Sequence, residues 1–255
     1  MAQETQKIAL VTGGSRGLGK DMAMSLSGKG ISVLITYNSK KDEAEAVVAA
    51  AQANGVKAAA LQFDAGKISG YDGFITSVKK TLHDVFGVER FDFLINNAGV
   101  ALYSPFAETT EEQFDTIMDI HYKGVFFLTQ KSLPILNDGG RIVNISSGLA
   151  RFSQPGSSAY GSAKAAVESL TRYMAKELGE RSISVNVVAP GPIATDFGGG
   201  RVRDNADING HLSALTALGR VGRPDDIGGV VAFLCSDDAK WINAQRIEVA
   251  GGIFI

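Results

Sequence analysis

A tyrosine and a lysine, Tyr160 and Lys164, lie four residues apart in an alanine-rich stretch. A serine at 157 or 158 is a typical helix N-cap and predicts a helix from there to Glu180. Four residues is about one helical turn, so both side chains would project from one face. Because an ammonium group favours a neighbouring phenolate, we expect the pKa of Tyr160 to fall below its usual value of about 10. The pair is a candidate general acid and base.

Ser147 is the third candidate for this chemistry. It follows an apolar strand predicted over residues 141–146, and its hydroxyl would donate to a substrate oxygen at the same place. A Tyr-x-x-x-Lys spacing alone is weak support, because on most helices such a pair is solvated. The elements that position these side chains therefore decide the interpretation.

Composition favours an ordinary globular protein. The chain has 255 residues, of which 45% are hydrophobic and 20% charged, with a net charge of −2. That length can bury a sizeable core, and the charge balance excludes a basic footprint for nucleic acid or anionic membranes. No apolar run reaches the roughly 20 residues that cross a bilayer. The polar start, residues 1–7, indicates no secretory signal, so we expect a cytoplasmic protein.

Cysteine and histidine usage gives no sign of a metal or disulfide framework. Cys235 is the only cysteine and lies in an apolar run, which is typical of a small buried side chain. His83, His121 and His211 are scattered without metal-ligand spacing. We therefore expect a metal-independent protein.

A glycine-rich turn follows the first predicted strand, residues 7–12, and precedes a helix predicted over residues 20–29. Free backbone N–H groups and the helix dipole make such a turn an anion site, and glycine lets a diphosphate approach the backbone. The candidate contacts are Gly13, Ser15, Arg16, Gly17, Leu18 and Gly19.

Two phosphate-binding motifs compete for this turn. Gly14-x-x-x-x-Gly19-Lys20 nearly matches a P-loop, but Asp21 stands where that loop needs a hydroxyl for magnesium. The spacing Gly13-x-x-x-Gly17-x-Gly19 departs from the common G-x-G-x-x-G and still suits a dinucleotide. Because a strand and a helix flank the turn, we favour a dinucleotide over both a P-loop and an empty loop.

The end of the second predicted strand, residues 31–37, bears on the choice of cofactor. NAD sites commonly carry an acid there, whereas this chain reads Tyr37-Asn38-Ser39-Lys40-Lys41. Hydroxyl and basic groups, with Arg16 nearby, would accept a 2′-phosphate, so NADP(H) is favoured and NAD(H) remains possible. The rival interpretation is that both lysines are simply solvated.

The remaining chain alternates strands and helices. Strands are predicted over residues 56–63, 91–95, 141–146, 183–189 and 246–249, and helices over 42–54, 69–86, 110–136 and from 224. Thr110 and Gln113 have capping-box spacing. This alternation implies right-handed crossovers and an α/β fold, a doubly wound parallel sheet with helices on both faces. No linker or repeat divides residues 1–255, which predicts one domain.

Ligands of such sheets bind beyond the carboxyl ends of the strands. Asp64 and Ala65 follow the third strand, where the carboxylate would contact adenine or merely cap a turn. Asn97, Ala98 and Gly99 follow the fourth and would pack against the cofactor. These segments should converge on one edge of the sheet, within reach of the tyrosine and lysine.

Together these features resemble the short-chain dehydrogenase/reductase family over essentially the whole chain, with similarity to its 3-oxoacyl-carrier-protein reductase-like branch. The matching motifs are Thr12-Gly13-x-x-x-Gly17-x-Gly19, Asn96-Asn97-Ala98-Gly99, Ser147, Tyr160-x-x-x-Lys164 and Pro190-Gly191. The resemblance implies a sheet of about seven strands in a Rossmann arrangement, a nicotinamide cofactor and often a homotetramer.

The resemblance also implies roles for individual residues. Tyr160 would exchange a proton with the substrate oxygen, Lys164 would lower its pKa and bind the nicotinamide ribose, and Ser147 would hydrogen-bond the oxygen. The expected nicotinamide contacts are Pro190, Gly191, Ile193 and Thr195. Residues 196–218 would form a lid over the substrate.

Three positions depart from the family pattern. His121 stands where the family has an asparagine that helps to relay protons; it would titrate near neutrality as a fourth catalytic group, or simply pack in a helix. Ala250 replaces a usual Asp and Asn243-Ala244 a usual Gly, which bears on packing or assembly more than on chemistry.

The function predicted from the sequence is hydride transfer between NADP(H) and a small-molecule carbonyl or secondary alcohol. The alternative is a nicotinamide-cofactor-binding protein with weak or no turnover, motivated by His121. A structural oligomer has no feature in its favour. The identity of the substrate is not readable from residues 150–156 and the lid.

Overall fold

The fold is that of a computed structural model, which describes residues 6–255. Residues 1–5, on which much of the expectation of no secretory signal rests, lie outside the described residues. Seven strands form one sheet: β1 Ile8–Val11, β2 Ser32–Tyr37, β3 Ala58–Gln62, β4 Phe91–Asn96, β5 Leu136–Ile145, β6 Ser184–Pro190 and β7 Arg246–Val249.

The α-helices connect these strands. They are α1 Gly17–Ser27, α2 Lys41–Ala53, α3 Tyr71–Thr81, α4 Glu111–Met118, α5 Gly124–Ser132, α6 Ser158–Glu177, α7 Arg201–Asp204, α8 Ala206–Ala214 and α9 Asp225–Leu234. Within residues 6–255, none of these helices combines the length and the apolar character that a bilayer crossing requires.

The sheet order is β3-β2-β1-β4-β5-β6-β7, and every neighbouring pair is parallel. The order reverses between β1 and β4, and doubly wound sheets open a ligand crevice at such a reversal. The predicted α/β fold with about seven parallel strands is confirmed.

Helices cover both faces because alternate strand residues point to opposite sides. In β1, Ala9 and Val11 pack with α1, α2 and α9, whereas Ile8 and Leu10 pack with α3, α5 and α6. Strands buried on both faces need nearly continuous apolar sequence, and β1 is buried at all four positions. A hydrophobic core on each face of the sheet thus fixes the positions of the carboxyl ends of the strands.

Several predicted boundaries are wrong. Helix α1 begins at Gly17 instead of residue 20, since the Lys20 amide already donates to the Arg16 carbonyl at 3.1 Å. Strand β5 begins at Leu136, which pairs with Phe91 before a register shift. Helix α6 ends at Glu177 instead of Glu180. The glycine-rich segment 191–222, which we expect from its sequence to be a loop with short helical stretches, contains the short helices α7 and α8.

The two predicted N-caps differ in outcome. Thr110 and Gln113 form the capping box, with the Gln113 amide donating to Thr110 Oγ1 at 3.2 Å. Ser157 occupies the N-cap of α6, but its hydroxyl makes no capping bond and lies buried without a partner. Side-chain capping at Ser157 is therefore a wrong prediction, because its N-cap backbone conformation, with φ −121° and ψ 17°, is not the usual extended one.

Candidate active site

One cavity of about 460 Å³ lies at the carboxyl edge of the sheet, around the reversal between β1 and β4. All the site residues predicted from the sequence line it. They are Gly13, Ser15, Arg16, Gly17, Leu18, Gly19, Tyr37, Asn38, Ser39, Lys40, Asp64, Ala65, Asn97, Ala98, Gly99, His121, Ser147, Tyr160, Lys164, Pro190, Gly191, Ile193 and Thr195.

The glycine turn is shaped for a diphosphate. Gly13 has φ +64°, a conformation that L side chains rarely adopt, and a Cβ there would lie 3.0 Å from Ala98 Cα. No side chain caps α1, so the N–H groups of its first turn remain available to an anion. These features fit a dinucleotide on physical grounds.

Asn97 holds this turn in place. Its Nδ2 donates to the carbonyl oxygens of Thr12 and Gly13 at 2.8 and 3.2 Å, while Thr12 Oγ1 accepts from the Asn97 and Ala98 amides at 2.9 and 3.0 Å. The Asn97 Nδ2 group is therefore already hydrogen-bonded within the protein, and Asn97 lines the cavity in a fixed orientation. Thr36 Oγ1, which we did not single out from the sequence, accepts from the Gly13 amide at 3.0 Å.

Lys40 and Lys41, which are adjacent in the sequence after β2, lie differently with respect to the cavity. Lys40 lines the cavity, whereas Lys41 is the first residue of α2 and pairs with Glu45 at 3.4 Å. The structure thus brings Lys40, and not Lys41, to the cavity lining. Asp64 lines the cavity and also caps the following turn, because its Oδ1 accepts from the Gly66 amide at 2.9 Å.

Arg16 pairs with Asp196, its Nη1 lying 2.5 Å from the carboxylate. The pair joins the glycine turn to the first residue of the predicted lid. Arg16 lines the cavity, as expected for a residue near a 2′-phosphate, and its guanidinium is held there in an ion pair. Both side chains are partly exposed, at 57% and 31%, so the pair contributes little to stability.

Lys164 is buried, with 5% of its surface exposed, and its Nζ donates to the Ile145 carbonyl at 2.7 Å. Burial lowers the pKa of Lys164 to about 7, because the ammonium loses its hydration. Its Nζ lies 5.7 Å from the Tyr160 ring centroid, so the two side chains do share one face of α6.

Burial raises the pKa of Tyr160 to about 12; the nearby Tyr103 acts in the same direction and the Ser147 hydroxyl in the opposite one. The prediction that the lysine would bring this pKa below 10 is wrong, because desolvation of the phenolate dominates. The Ser147 side chain is oriented by the Leu149 amide, which donates to its Oγ at 3.2 Å.

His121 lies on a π-helical turn, Asp119–Lys123, between α4 and α5. The residue is 1% exposed, and its Nε2 lies 2.7 Å from the Val100 carbonyl oxygen. Its ring meets the Tyr160 ring edge-on at 5.0 Å. Burial and the charge of Lys164 lower the pKa of His121 to about 3. The prediction that His121 titrates near neutrality is therefore wrong, and the ring acts as a neutral packing group.

The remaining part of the cavity, which we call the substrate end, is aromatic. Phe197 lies 6.1 Å from the Tyr160 ring, and Phe152 packs against Phe254 at 5.1 Å between ring centroids. Tyr103 and Phe254 were not predicted from the sequence. Tyr103 shortly follows the Asn-Ala-Gly motif, a usable signal, whereas nothing local indicates that the C-terminal residues return to the cavity.

Comparison with known proteins identifies the family. A family model described as enoyl-(acyl carrier protein) reductase matches residues 13–253. An uncharacterized oxidoreductase of Methylorubrum extorquens is 39% identical, covering 99% of this chain and 100% of that protein. A hydroxynaphthalene reductase-like protein of Metarhizium brunneum is 37% identical, covering 96% and 94%.

A solved structure gives the same answer. The crystal structure of an angucycline C-6 ketoreductase with bound NADP matches with a TM-score of 0.92 and 36% identity, over 96% of this chain and 95% of that one. The family resemblance inferred from the motifs is thus confirmed. The chain belongs to the short-chain dehydrogenase/reductase family of NAD(P)-dependent oxidoreductases.

Proposed function

We propose that this protein is an NADP(H)-dependent reductase of ketones in which Tyr160 protonates the carbonyl oxygen. One observation carries the proposal: Ser147, Tyr160 and Lys164 line the same cavity as the uncapped N-terminus of α1. A proton donor and an anion site in one cavity are what hydride transfer from a dinucleotide to a carbonyl requires.

The chain's own residues supply orientation and the proton. NADPH, when bound, supplies the hydride. Ser147 donates a hydrogen bond to the carbonyl oxygen, and Tyr160 delivers the proton to that oxygen as it gains negative charge. When the cofactor binds, Lys164 would hold the nicotinamide ribose, and the cavity-lining residues Pro190, Gly191, Ile193 and Thr195 would lie against the nicotinamide.

The protonation state of Tyr160 favours reduction. A phenol whose pKa is raised to about 12 carries its proton throughout the neutral range, which is the form that a carbonyl reduction consumes. Alcohol oxidation would need the phenolate, which burial disfavours. The protonated phenol therefore supports the reductase proposal, while the direction of net turnover follows the ratios of NADPH to NADP⁺ and of ketone to alcohol.

Preference for NADP(H) is supported by two observations. Asn38, Ser39 and Lys40 line the cavity after β2 without an acidic residue among them. The similar angucycline ketoreductase was solved with NADP.

The substrate class is suggested by two relatives. The angucycline ketoreductase and the hydroxynaphthalene reductase-like protein are both named after aromatic compounds. The aromatic substrate end accordingly supports aromatic ketones as the substrate class.

The test follows NADPH oxidation with a panel of aromatic ketones, comparing wild type with Tyr160→Phe and Tyr173→Phe. Tyr173→Phe is the matched control, because it removes one hydroxyl from an exposed position on the same helix. We expect Tyr160→Phe to lose about 100-fold or more in kcat and Tyr173→Phe to match wild type.

The competing function, a cofactor-binding protein without turnover, rests on His121 in place of an asparagine. It predicts NADPH binding by wild type and equally low rates for wild type and Tyr160→Phe. That outcome would replace the reductase proposal. The neutral, packed His121 gives this alternative less support than the sequence alone did.

We also propose a single domain over residues 1–255 with a lid at about 196–218, and a cytoplasmic homotetramer. Exposed aromatic side chains on α4 and α5 support an assembly that covers them; these are Phe114 and Phe126. Light scattering on the purified protein tests the tetramer, and cell fractionation tests the location.

A further inference from the structure

We propose that Arg201 forms an anion-binding subsite at the substrate end, so that the preferred substrates are aromatic ketones carrying a carboxylate or another oxyanion remote from the ketone. This inference rests on the proposed reductase function and specifies its substrate class. Three observations support it: Arg201 lines the cavity, the nearby acidic residues are paired with other arginines, and three glycines shape the backbone before Arg201.

Arg201 is the first residue of α7 and lines the cavity. Its guanidinium carbon lies 4.5 Å from the centroid of the Tyr103 ring, a cation–π distance. Tyr103 also lies near enough to Tyr160 to raise its pKa. One aromatic side chain therefore connects the guanidinium with the catalytic phenol.

The acidic residues near Arg201 are paired with other arginines. Asp196 pairs with Arg16 at 2.5 Å, and Asp204 accepts from Arg203 at 2.6 and 2.7 Å. In the structure over residues 6–255, the Arg201 side chain makes no hydrogen bond or salt bridge. A guanidinium presents five N–H donors in a planar fork that matches a carboxylate, so Arg201 is open to an anionic ligand.

The backbone before Arg201 is built to place it there. Gly198, Gly199 and Gly200 have φ values of +63°, +73° and +76°, three successive left-handed residues that only glycine adopts readily. A Cβ on Gly198 would lie 3.1 Å from Tyr103 Cε2. The three glycines thus let the chain pass close over Tyr103 and deliver the guanidinium onto its ring.

Apolar side chains share the cavity lining with Arg201. The side chains that line the cavity beside Arg201 include Leu102, Phe197, Val202, Ile208 and Leu212, all apolar. Arg201 is itself exposed, so its contribution depends on a bidentate fit of the oxyanion to the guanidinium, with the rest of the ligand held by these apolar side chains. A planar ketone would pack against the aromatic walls while its anionic group reaches Arg201.

The test uses ketones that differ only in charge: 4-acetylbenzoate against 4-acetylbenzamide, and 6-acetyl-2-naphthoate against its amide for a longer reach. The variants are Arg201→Met and, as control, Arg90→Met, which removes an exposed guanidinium outside the cavity lining without freeing a carboxylate near Arg201. For each enzyme, the ratio of kcat/KM for the acid to kcat/KM for the amide is measured with NADPH.

We expect wild type and Arg90→Met to prefer the acid by about 10-fold or more in at least one pair, and Arg201→Met to bring the ratio near one. Equal ratios in wild type and Arg201→Met would overturn the subsite while leaving the reductase proposal intact. If no ketone is reduced, calorimetry of 2-naphthoate binding to the NADP⁺-loaded protein decides the subsite separately. Affinity lost only in Arg201→Met supports it, and affinity independent of Arg201 refutes it.

Discussion

The Lys164 ammonium donates a 2.7 Å hydrogen bond to the main-chain carbonyl of Ile145, the last residue of β5. This bond fastens helix α6 to the strand that leads into Ser147. It also keeps the ammonium in a buried position where its charged form is poorly hydrated, which lowers the pKa of Lys164 to about 7.

A pH-dependent stability follows from that pKa. Between about pH 7 and the ordinary lysine value of 10.5, the folded protein binds fewer protons than the unfolded chain at this group. Stability contributed by Lys164 therefore rises with pH in that window and is lowest below pH 7. Relative to Lys164→Met, the unfolding free energy of wild type should rise by about 1 kcal/mol per pH unit from pH 7 to 10 in urea titrations.

The control for this measurement is Lys176→Met, an exposed lysine on the same helix, which should track wild type at every pH. Parallel curves for wild type and Lys164→Met would show that Lys164 is equally protonated in both states. The pKa assigned to the buried ammonium would then be wrong.

Replacing His121 with Asn should leave the shape of the pH profile unchanged between pH 5 and 9. A histidine with a pKa of about 3 is neutral over that range, so its removal eliminates no titration. The variant instead loses the contact between Nε2 and the Val100 carbonyl, which should cost about 1 kcal/mol of stability. Profiles of kcat/KM and thermal unfolding measure the two effects. Loss of an inflection near neutrality would restore His121 to the proton path.

The sequence predicts the location of the site better than its electrostatics. Cavity-lining positions such as Gly13, Lys40 and Asn97 follow strand ends, and parallel strands bring those ends to one edge whatever the details of packing. The motifs around Tyr160 and Lys164 likewise need only helical periodicity to share a face.

The pKa values could not be read from spacing, because they depend on burial by residues distant in sequence. The Tyr160–Lys164 separation predicted attraction, but desolvation dominates both groups. Similarly, Phe254 reaches the cavity through tertiary packing against Phe152, which no local pattern encodes. The start of β5 was missed because Gly139 and Gly140 indicate a break, whereas the strand continues through an irregular register.

The two lysines after β2 should differ in their effect on cofactor choice. Lys40→Ala removes a charge from the cavity lining and should raise the KM for NADPH several-fold with a smaller change for NADH. Lys41→Ala is the matched control, because that side chain pairs with Glu45 outside the cavity lining. Steady-state kinetics with both cofactors make the comparison. Equal changes for NADPH and NADH in Lys40→Ala would refute a role in binding a 2′-phosphate.

Glu168 and Arg246 form a partly buried ion pair next to the segment that carries Ser147. Glu168 Oε1 accepts from Arg246 Nε at 2.8 Å and from the Ser146 hydroxyl at 2.6 Å, with side-chain exposures of 13% for Glu168 and 22% for Arg246. Arg246 Nη2 also donates to the Ser147 carbonyl at 3.4 Å. The pair thus connects α6, β7 and the segment that carries Ser147.

Removing one partner should cost more than removing both. Arg246→Met leaves the Glu168 carboxylate partly buried without its cation and also removes the 3.0 Å pair with Glu248, which keeps Arg151 as its partner. We expect a loss of about 1–3 kcal/mol of unfolding free energy. Adding Glu168→Gln in the double variant removes the stranded charge, so part of that loss should be recovered. A double-mutant cycle by urea unfolding measures the coupling. Additive losses would mean that Glu168 and Arg246 stabilise the protein independently, and that the 2.8 Å contact carries no energy of its own.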